Sequence, residues 1–561
     1  MTKKKCFNSF IICLLLYNVT YSQKLNEYVN TIADALEIVE ASKLEYAQDL
    51  KLTTTNYINY TLTEVDAKGK SEESLYSFSF SDIDVNTVRT ITKKDVILIQ
   101  LLIKGKQKLI KKTSNSGDKI NYVDNLSFYA KNIDNGRILV DEIKKIIPIN
   151  EVLEKNKLAL ATYNDHLDWL QNNIQDVEVT KTQFIQKIES ENLNNGHLKL
   201  SSTINSKSKT TNYEYEFNLA TLNPNSLVFK INSDEFYVEV SNRRNIKAIK
   251  EFKDGVQQSY TNKVRFYSTS IENAKDIYKV IKQIIPLAEK AFLQSKPDIS
   301  NVERAIAYLN TVTQSVSTND KTYTQNIEGS CVSKVMIKEA DIKETKEHVF
   351  EFNFSDINVD NIDYNSAKNQ LYLEINTRKK AKFIRYLKND ELQNYTNTFK
   401  LYVNGIEEAM VSKEALQNIV KFCEIKTPKT SSSSISSKLD ALQKDITLVK
   451  IGDNNYDQSL EVINTSPYII KITSVYSNLK SSKETIYEFG LGDINPKNIA
   501  IITSGKQVMV ELNTKHLEKI IKTYQDGSIK SYAYKIAIQA TDIENARQIA
   551  NNLKYITEKQ E

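Results

Sequence analysis

The chain has 561 residues, 40% hydrophobic and 26% charged, with only 13 glycines and 7 prolines. That composition excludes a disordered, collagenous or low-complexity protein and leaves room for about four domains of ordinary size. A formal net charge of +5 is small for this length and gives no electrostatic reason to expect nucleic acid.

The first predicted element is a targeting segment. Lys3, Lys4 and Lys5 precede an apolar run from Phe10 to Tyr17, and Thr20 and Ser22 put small residues before Gln23. This is the layout of a cleaved signal peptide over residues 1–22. The run is shorter than the about 20 residues needed to cross a bilayer, and no later stretch is long and apolar enough. The expected mature chain is exported, to the periplasm, cell surface or medium, with no transmembrane segment. Removing three lysines leaves 72 basic residues against 70 acids, which is close to neutral. Only Cys331 and Cys423 of the four cysteines then remain. An oxidising compartment permits a bond between them, but two buried free thiols are the favoured reading, because no other part of the chain has their counterparts.

One motif then recurs four times. It reads Phe78-Ser79-Phe80-Ser81-Asp82-Ile83, Phe217-Asn218-Leu219-Ala220-Thr221-Leu222, Phe352-Asn353-Phe354-Ser355-Asp356-Ile357 and Phe489-Gly490-Leu491-Gly492-Asp493-Ile494, at spacings of 139, 135 and 137 residues. A period that long is a whole domain, not a solenoid rung. The expected organisation is four repeats, 23–148, 149–286, 287–427 and 437–561, with a Ser-rich linker at 428–436.

Within a repeat the elements follow in one order. A helix surrounds Leu36, Leu170, Leu309 or Leu442; Ala305, Tyr308, Leu309 and Val312 recur at three- and four-residue steps. A strand rich in β-formers follows, as at Tyr57 to Thr63 or Tyr468 to Val475. The Phe motif alternates apolar with small or polar residues, so Phe78, Phe217, Phe352 and Phe489 read as buried and structural. A third and a fourth strand read as a hairpin with Val240 opposite Ile249 and Glu239 opposite Lys250. The same pairs recur as Ile375/Ile384 with Glu374/Arg385, Leu512/Ile521 with Glu511/Lys522, and Leu101/Ile110 with Gln100/Lys111. One pair faces inward and the other forms an outward ion pair. Turns at Ser116-Gly117, Asp254-Gly255, Asn389-Asp390 and Asp526-Gly527 lead into a fifth strand carrying Tyr122, Tyr260, Tyr395 or Tyr532. A closing helix starts at Ile133, Ile271, Ile406 or Ile543, with Ser270 and Asp542 as N-caps. Small residues (Gly136, Ala274, Ala409, Ala546) share one position in it, and Pro148 and Pro286 end its first two copies.

The expected fold class is thus α+β: four tandem copies of a helix, a five-stranded antiparallel meander and a C-terminal helix. A curved antiparallel sheet closed by a helix resembles pleckstrin-homology-like domains, a resemblance of fold that implies no function.

The chemistry-bearing residues do not converge. His166, His197, His348 and His516 share no equivalent position and fit no metal-spaced motif. There is no G-x-S-x-G elbow, phosphate loop, H-E-x-x-H or C-x-x-C. Asp82, Asp356 and Asp493 read as local turn formers, with Thr221 in their place in the second repeat. No catalytic residue, metal site or cofactor is expected. The function expected is a non-enzymatic exported repeat protein that binds or scaffolds a protein, peptide or cell-envelope component. A hydrolase with a cleft between repeats, or a carrier of an apolar ligand, is the alternative. Tyr122, Tyr260, Tyr395 and Tyr532 are the candidate repeated binding surface, although tyrosine packed on a sheet with its hydroxyl at the rim gives the same pattern.

Overall fold

A computed structural model describes residues 21–53, 56–114, 119–179, 181–190, 195–232, 235–425, 434–525 and 527–560. The expected signal peptide up to residue 20 and the expected serine-rich linker up to residue 433 lie outside the described residues.

Repeat 3 shows the common plan. Helix α1 (Val302–Thr313) is capped by Asn301, whose side chain accepts from the Arg304 amide, and it buries Ala305, Ile306 and Leu309. Strands β1 (Ser315–Ser317), β2 (Thr322–Gly329), β3 (Val332–Ala340) and β4 (Thr345–Asn353) follow. Then come β5 (Asp363–Ala367), β6 (Gln370–Asn376), β7 (Arg385–Lys388), β8 (Glu391–Leu392) and β9 (Thr398–Val403), before helix α2 (Ile406–Ile425). The strands form two antiparallel sheets, a six-stranded one in the order β1-β2-β3-β4-β7-β8 and a three-stranded one in the order β5-β6-β9. All four repeats have this topology.

The α+β repeat is as expected, but among the described residues each copy has nine strands where five were foreseen. The five correspond to β3, β4, β6, β7 and β8. The supposed third–fourth hairpin does not exist, because β6 and β7 belong to different sheets. Ile375 lies opposite Phe399 and Glu374 opposite Lys400, both on β9. Arg385 lies opposite Glu351 on β4. The connection from β6 to β7 carries a turn at Arg378–Lys380 with Lys379 at φ 53°, and it moves the chain from one sheet to the other. Residue sums alone cannot tell such a crossing from a hairpin. The recurring cations pair instead with the glutamate just before the motif phenylalanine: Lys250 with Glu216 (3.6 Å), Arg385 with Glu351 (2.5 Å) and Lys522 with Glu488 (2.8 Å). Glu239 is bound by Lys230 and Arg265 at 2.8 and 2.7 Å.

The motif phenylalanines are buried in every repeat. The strand ends at Asn353, and Phe354 begins a short 3-10 turn, Phe354–Asp356, so the two rings meet edge to face at 4.9 Å. Pro148 and Pro286 do not end helices. They lie inside Ile133–Asn156 and Ile271–Ser295. A mid-helix proline costs about 3 kcal/mol. Ile146 and Ile147 before Pro148 and Leu153 after it are buried, and that apolar stripe offsets the lost amide bond. The expected repeat boundaries at 148 and 286 therefore fall within helices.

The described residues form two compact units, 21–184 with 227–239 and 265–284, and 185–226 with 240–264 and 285–560. The division runs through repeat 2. Its Phe236 and Ile271 share a core with Phe78, Phe128 and Ile143 of repeat 1. Its Ala220, Ala248 and Tyr260 share a core with Phe354, Leu373 and Leu416 of repeat 3. Adjacent repeats thus share hydrophobic cores.

Cys331 and Cys423 form a disulfide, with Cα atoms 5.4 Å apart, between the β2–β3 turn and α2. This corrects the free-thiol reading; a separation of 92 residues hides such a pairing from local inspection. A cross-link closing so long a loop stabilises by about 2–4 kcal/mol. Cys423→Ser should lower unfolding stability by that amount in denaturant titrations under oxidising conditions. Reductant should bring the parent chain to the same level and leave the variant unchanged.

Candidate functional site: the joint between repeats

The motif turn of one repeat meets the start of α2 in the next, and this joint recurs three times. Between repeats 3 and 4, Asp356 ends the motif turn and forms an ion pair of 2.7 Å with Arg547. Arg547 lies in the first turns of the last helix, Ile543–Glu558, and also reaches Glu544 at 3.3 Å. The Asn353 amide donates to Glu544 at 3.2 Å. Burial pushes the Asp356 carboxyl up, and the Arg547 guanidinium opposes that shift. Between repeats 1 and 2, Asp82 binds Lys275 at 2.8 Å, and the Lys275 ammonium also lies over the Tyr57 ring.

The joint between repeats 2 and 3 departs from this pattern in a consistent way. Thr221 stands in the place of the aspartate, and Met410 in the place of the cation. Acid and base are lost together. Here Glu407 accepts from the Asn218 amide and meets His197 Nδ1, both at 2.9 Å. Burial pushes the Glu407 carboxyl up, but the bonds from His197 and Asn218 outweigh it and hold the group below the usual carboxylate range.

Three of the four sequence-predicted tyrosines belong to the same joints. Tyr122 meets Phe236 of repeat 2 edge-on at 4.6 Å. The Tyr260 amide donates to the Lys368 carbonyl of repeat 3 (3.1 Å), and the Tyr395 amide to the Gly505 carbonyl of repeat 4 (2.9 Å). Tyr260 and Tyr395 are buried in the core of the following repeat, and burial pushes the Tyr395 hydroxyl up to about 12. Tyr532 of the last repeat is exposed.

A cleft of about 650 Å³ opens at the joint of repeats 3 and 4, lined by Val332, Phe352, Phe383, Arg385, Ile543 and Glu544 among others. Of its four carboxylates, Glu351 is held by Arg385 and Glu544 by Asn353 and Arg547, while Glu328 accepts from the Asn326 side-chain amide and Asp542 from the Asn545 backbone amide. The cleft therefore offers an apolar floor with an ion-paired rim, an arrangement suited to binding. Among the described residues, no group of three or more His, Cys, Asp or Glu could hold a metal ion, and no helix is long and apolar enough to cross a membrane.

Sequence reasoning missed the acid–cation pairing. Asp82 and Asp356 read as local turn formers, yet the side chains that accept the turn amides are Ser79, Asn218 and Asn353. The paired loss of charge at Thr221 and Met410 was the signal available, and it spans 189 residues. The chain matches no protein-family model, no curated protein and no solved structure.

Arg547→Met should leave Asp356 buried without its cation and cost about 2–4 kcal/mol. Adding Asp356→Thr reproduces the pair that the chain already uses at Thr221 and Met410. The double variant should recover most of the loss in a double-mutant cycle of unfolding free energies; a double-variant cost equal to the sum of the two single costs would show the pair to be inert.

The folded-state depression at Glu407 gives stability that is present above its unfolded value near 4.3 and lost as pH falls through the lower folded value. Glu407→Gln should therefore flatten the fall of melting temperature between about pH 5 and 3. An unchanged slope in scanning calorimetry would remove Glu407 from the acid response.

Proposed function

We propose that this chain is an exported, non-enzymatic repeat protein that scaffolds or binds a protein, peptide or cell-envelope component. The observation that carries the reading is the joint. Three times over, the residues best placed for chemistry are committed to holding one repeat against the next. Charged groups are paired there, and three of the four equivalent tyrosines are packed there. Repeats packed against their neighbours suit a part that presents several surfaces on one chain. The apolar cleft with an ion-paired rim at the joint of repeats 3 and 4 is where a side chain of a bound peptide would seat. The disulfide supports an oxidising compartment, in keeping with the basic and apolar segment at residues 1–22.

N-terminal sequencing of the chain recovered from envelope and culture-fluid fractions should begin at Gln23; a chain found only in the cytosol and beginning at Met1 would contradict export. Purified mature chain should bind a sedimented envelope preparation saturably and turn over none of a panel of ester, glycoside, phosphate and peptide substrates. Turnover that one Asp, Glu or His substitution abolishes, with the fold intact, would make the protein an enzyme.

A further inference from the structure

The joint has two halves, and the two outer repeats each expose one. The isoleucine that opens α2 is 6%, 5% and 7% exposed at Ile271, Ile406 and Ile543, but 61% exposed at Ile133 in repeat 1. Arg137 stands where Lys275 and Arg547 stand. It keeps the bond to its own helix, to Asp134 at 3.1 Å, as Arg547 keeps Glu544, and among the described residues it meets no aspartate of a neighbouring repeat. Repeat 4 shows the opposite half. Tyr532 is 52% exposed, where Tyr260 and Tyr395 are 5% and 4%. Ile520 is 40% exposed, where its equivalents Leu109 and Ala248 are 6% and 2% and Phe383 is half-buried against the core of the next repeat. Asp493 is exposed and, among the described residues, forms no ion pair, whereas Asp82 and Asp356 each hold a cation of the following repeat.

Stacked repeats ordinarily end in polar caps. These outer faces instead carry uncovered apolar side chains beside charges of opposite sign. We propose that copies of this chain associate head to tail, with repeat 4 of one copy seated on repeat 1 of the next in a fourth instance of the internal joint. Asp493 pairs with Arg137. Tyr532 packs against Ile97, the equivalent of Phe236, and its amide reaches the Lys94 carbonyl, which holds the turn position of Lys368 and Gly505. Ile520 and Ile133 cover each other. Complementary charge and continuity with the three internal joints select a second copy over an unrelated partner. The two faces differ, so the contact is heterologous and adds copies without limit unless its rotation closes a ring. The inference rests on the joint alone and stands whether or not the scaffold reading holds.

Sedimentation velocity on the mature chain, across roughly a hundredfold range of concentration, tests it. Species should grow beyond dimers as concentration rises and shrink at high salt, which screens the exposed charges. Asp493→Arg or Arg137→Asp alone should weaken association about fivefold to tenfold. Both substitutions in one chain should restore it, because each contact again opposes unlike charges. Tyr532→Ala should weaken it without regard to salt. Both charged residues are exposed, and circular dichroism checks that each variant is folded. A chain that stays monomeric throughout, association that stops at a dimer, single variants that associate like the parent, or a double variant no better than the singles would each overturn the proposal.

Discussion

A glutamine side chain ties the two sheets together in repeats 1, 3 and 4. Gln325 on β2 gives its amide to the carbonyls of Thr313 and Tyr402 and accepts from the Tyr402 amide, all at 2.9 Å. Its side chain thus acts as one residue of a β-ladder, bridging the six-stranded sheet to the edge of β9. Gln48 does the same for Tyr129 (2.9 and 2.8 Å) and Gln458 for Gln539 (3.0 and 2.9 Å). Gln186 is buried at the equivalent place. Without the amide, two backbone groups of β9 would lose their partners where water is scarce, at about 1–3 kcal/mol each. An aromatic stack seals the clamp in three repeats: Tyr46 on Tyr129, Phe184 on Tyr267 and Tyr323 on Tyr402, with ring centres 3.8–4.0 Å apart. Repeat 4 has Gln539 in place of that ring and keeps the amide bonds.

The joints depend on this clamp. Strand β9 runs directly into α2, so fixing the strand fixes where the helix begins. A second tether supports it. Asn135, Asn273 and Asn545, in the first turn of α2, donate to carbonyls at the end of α1 (Ala35, Asn173 and Asp445) at 2.9–3.2 Å. Close contact of helix with sheet needs a small residue at the next position, where a Cβ on Gly136 would lie 2.9 Å from Thr90 Cγ2. The helix start is then held at the place where its isoleucine, its acid and its cation enter the neighbouring repeat. Sheet clamp, helix tether and joint form one chain of dependence, and the chemistry of the joint is set by contacts inside each repeat.

Much of the fold was legible because its rules are local. The turns Asp254-Gly255 (φ 50° and 79°) and Asn389-Asp390 (φ 49° and 63°) take the left-handed conformations their residues favour. Ser270 and Asp542 accept the amides three residues on, as N-caps do. Alternation along the motif strand foretold which rings are buried. The buried glutamines were not legible, because a lone glutamine in an alternating strand looks like any solvated position. Strands β1, β2, β5 and β9 were missed for a related reason: they are short, or carry many polar residues.

The sequence by itself determined that one domain is written four times, which phenylalanines lie in its core, and where the turns Asp254-Gly255 and Asn389-Asp390 and the caps Ser270 and Asp542 lie. Each of those follows from steric and hydrogen-bonding preferences that act over a few residues. Only the tertiary structure decided that β6 and β7 part into separate sheets, that Cys331 meets Cys423, that Pro148 and Pro286 are carried through helices, and that Asp356 finds its cation at Arg547, 191 residues away. In each of these the apolar faces of two sheets and two helices had to be buried together. That burial, summed over many residues, outweighs the local preference of any one of them.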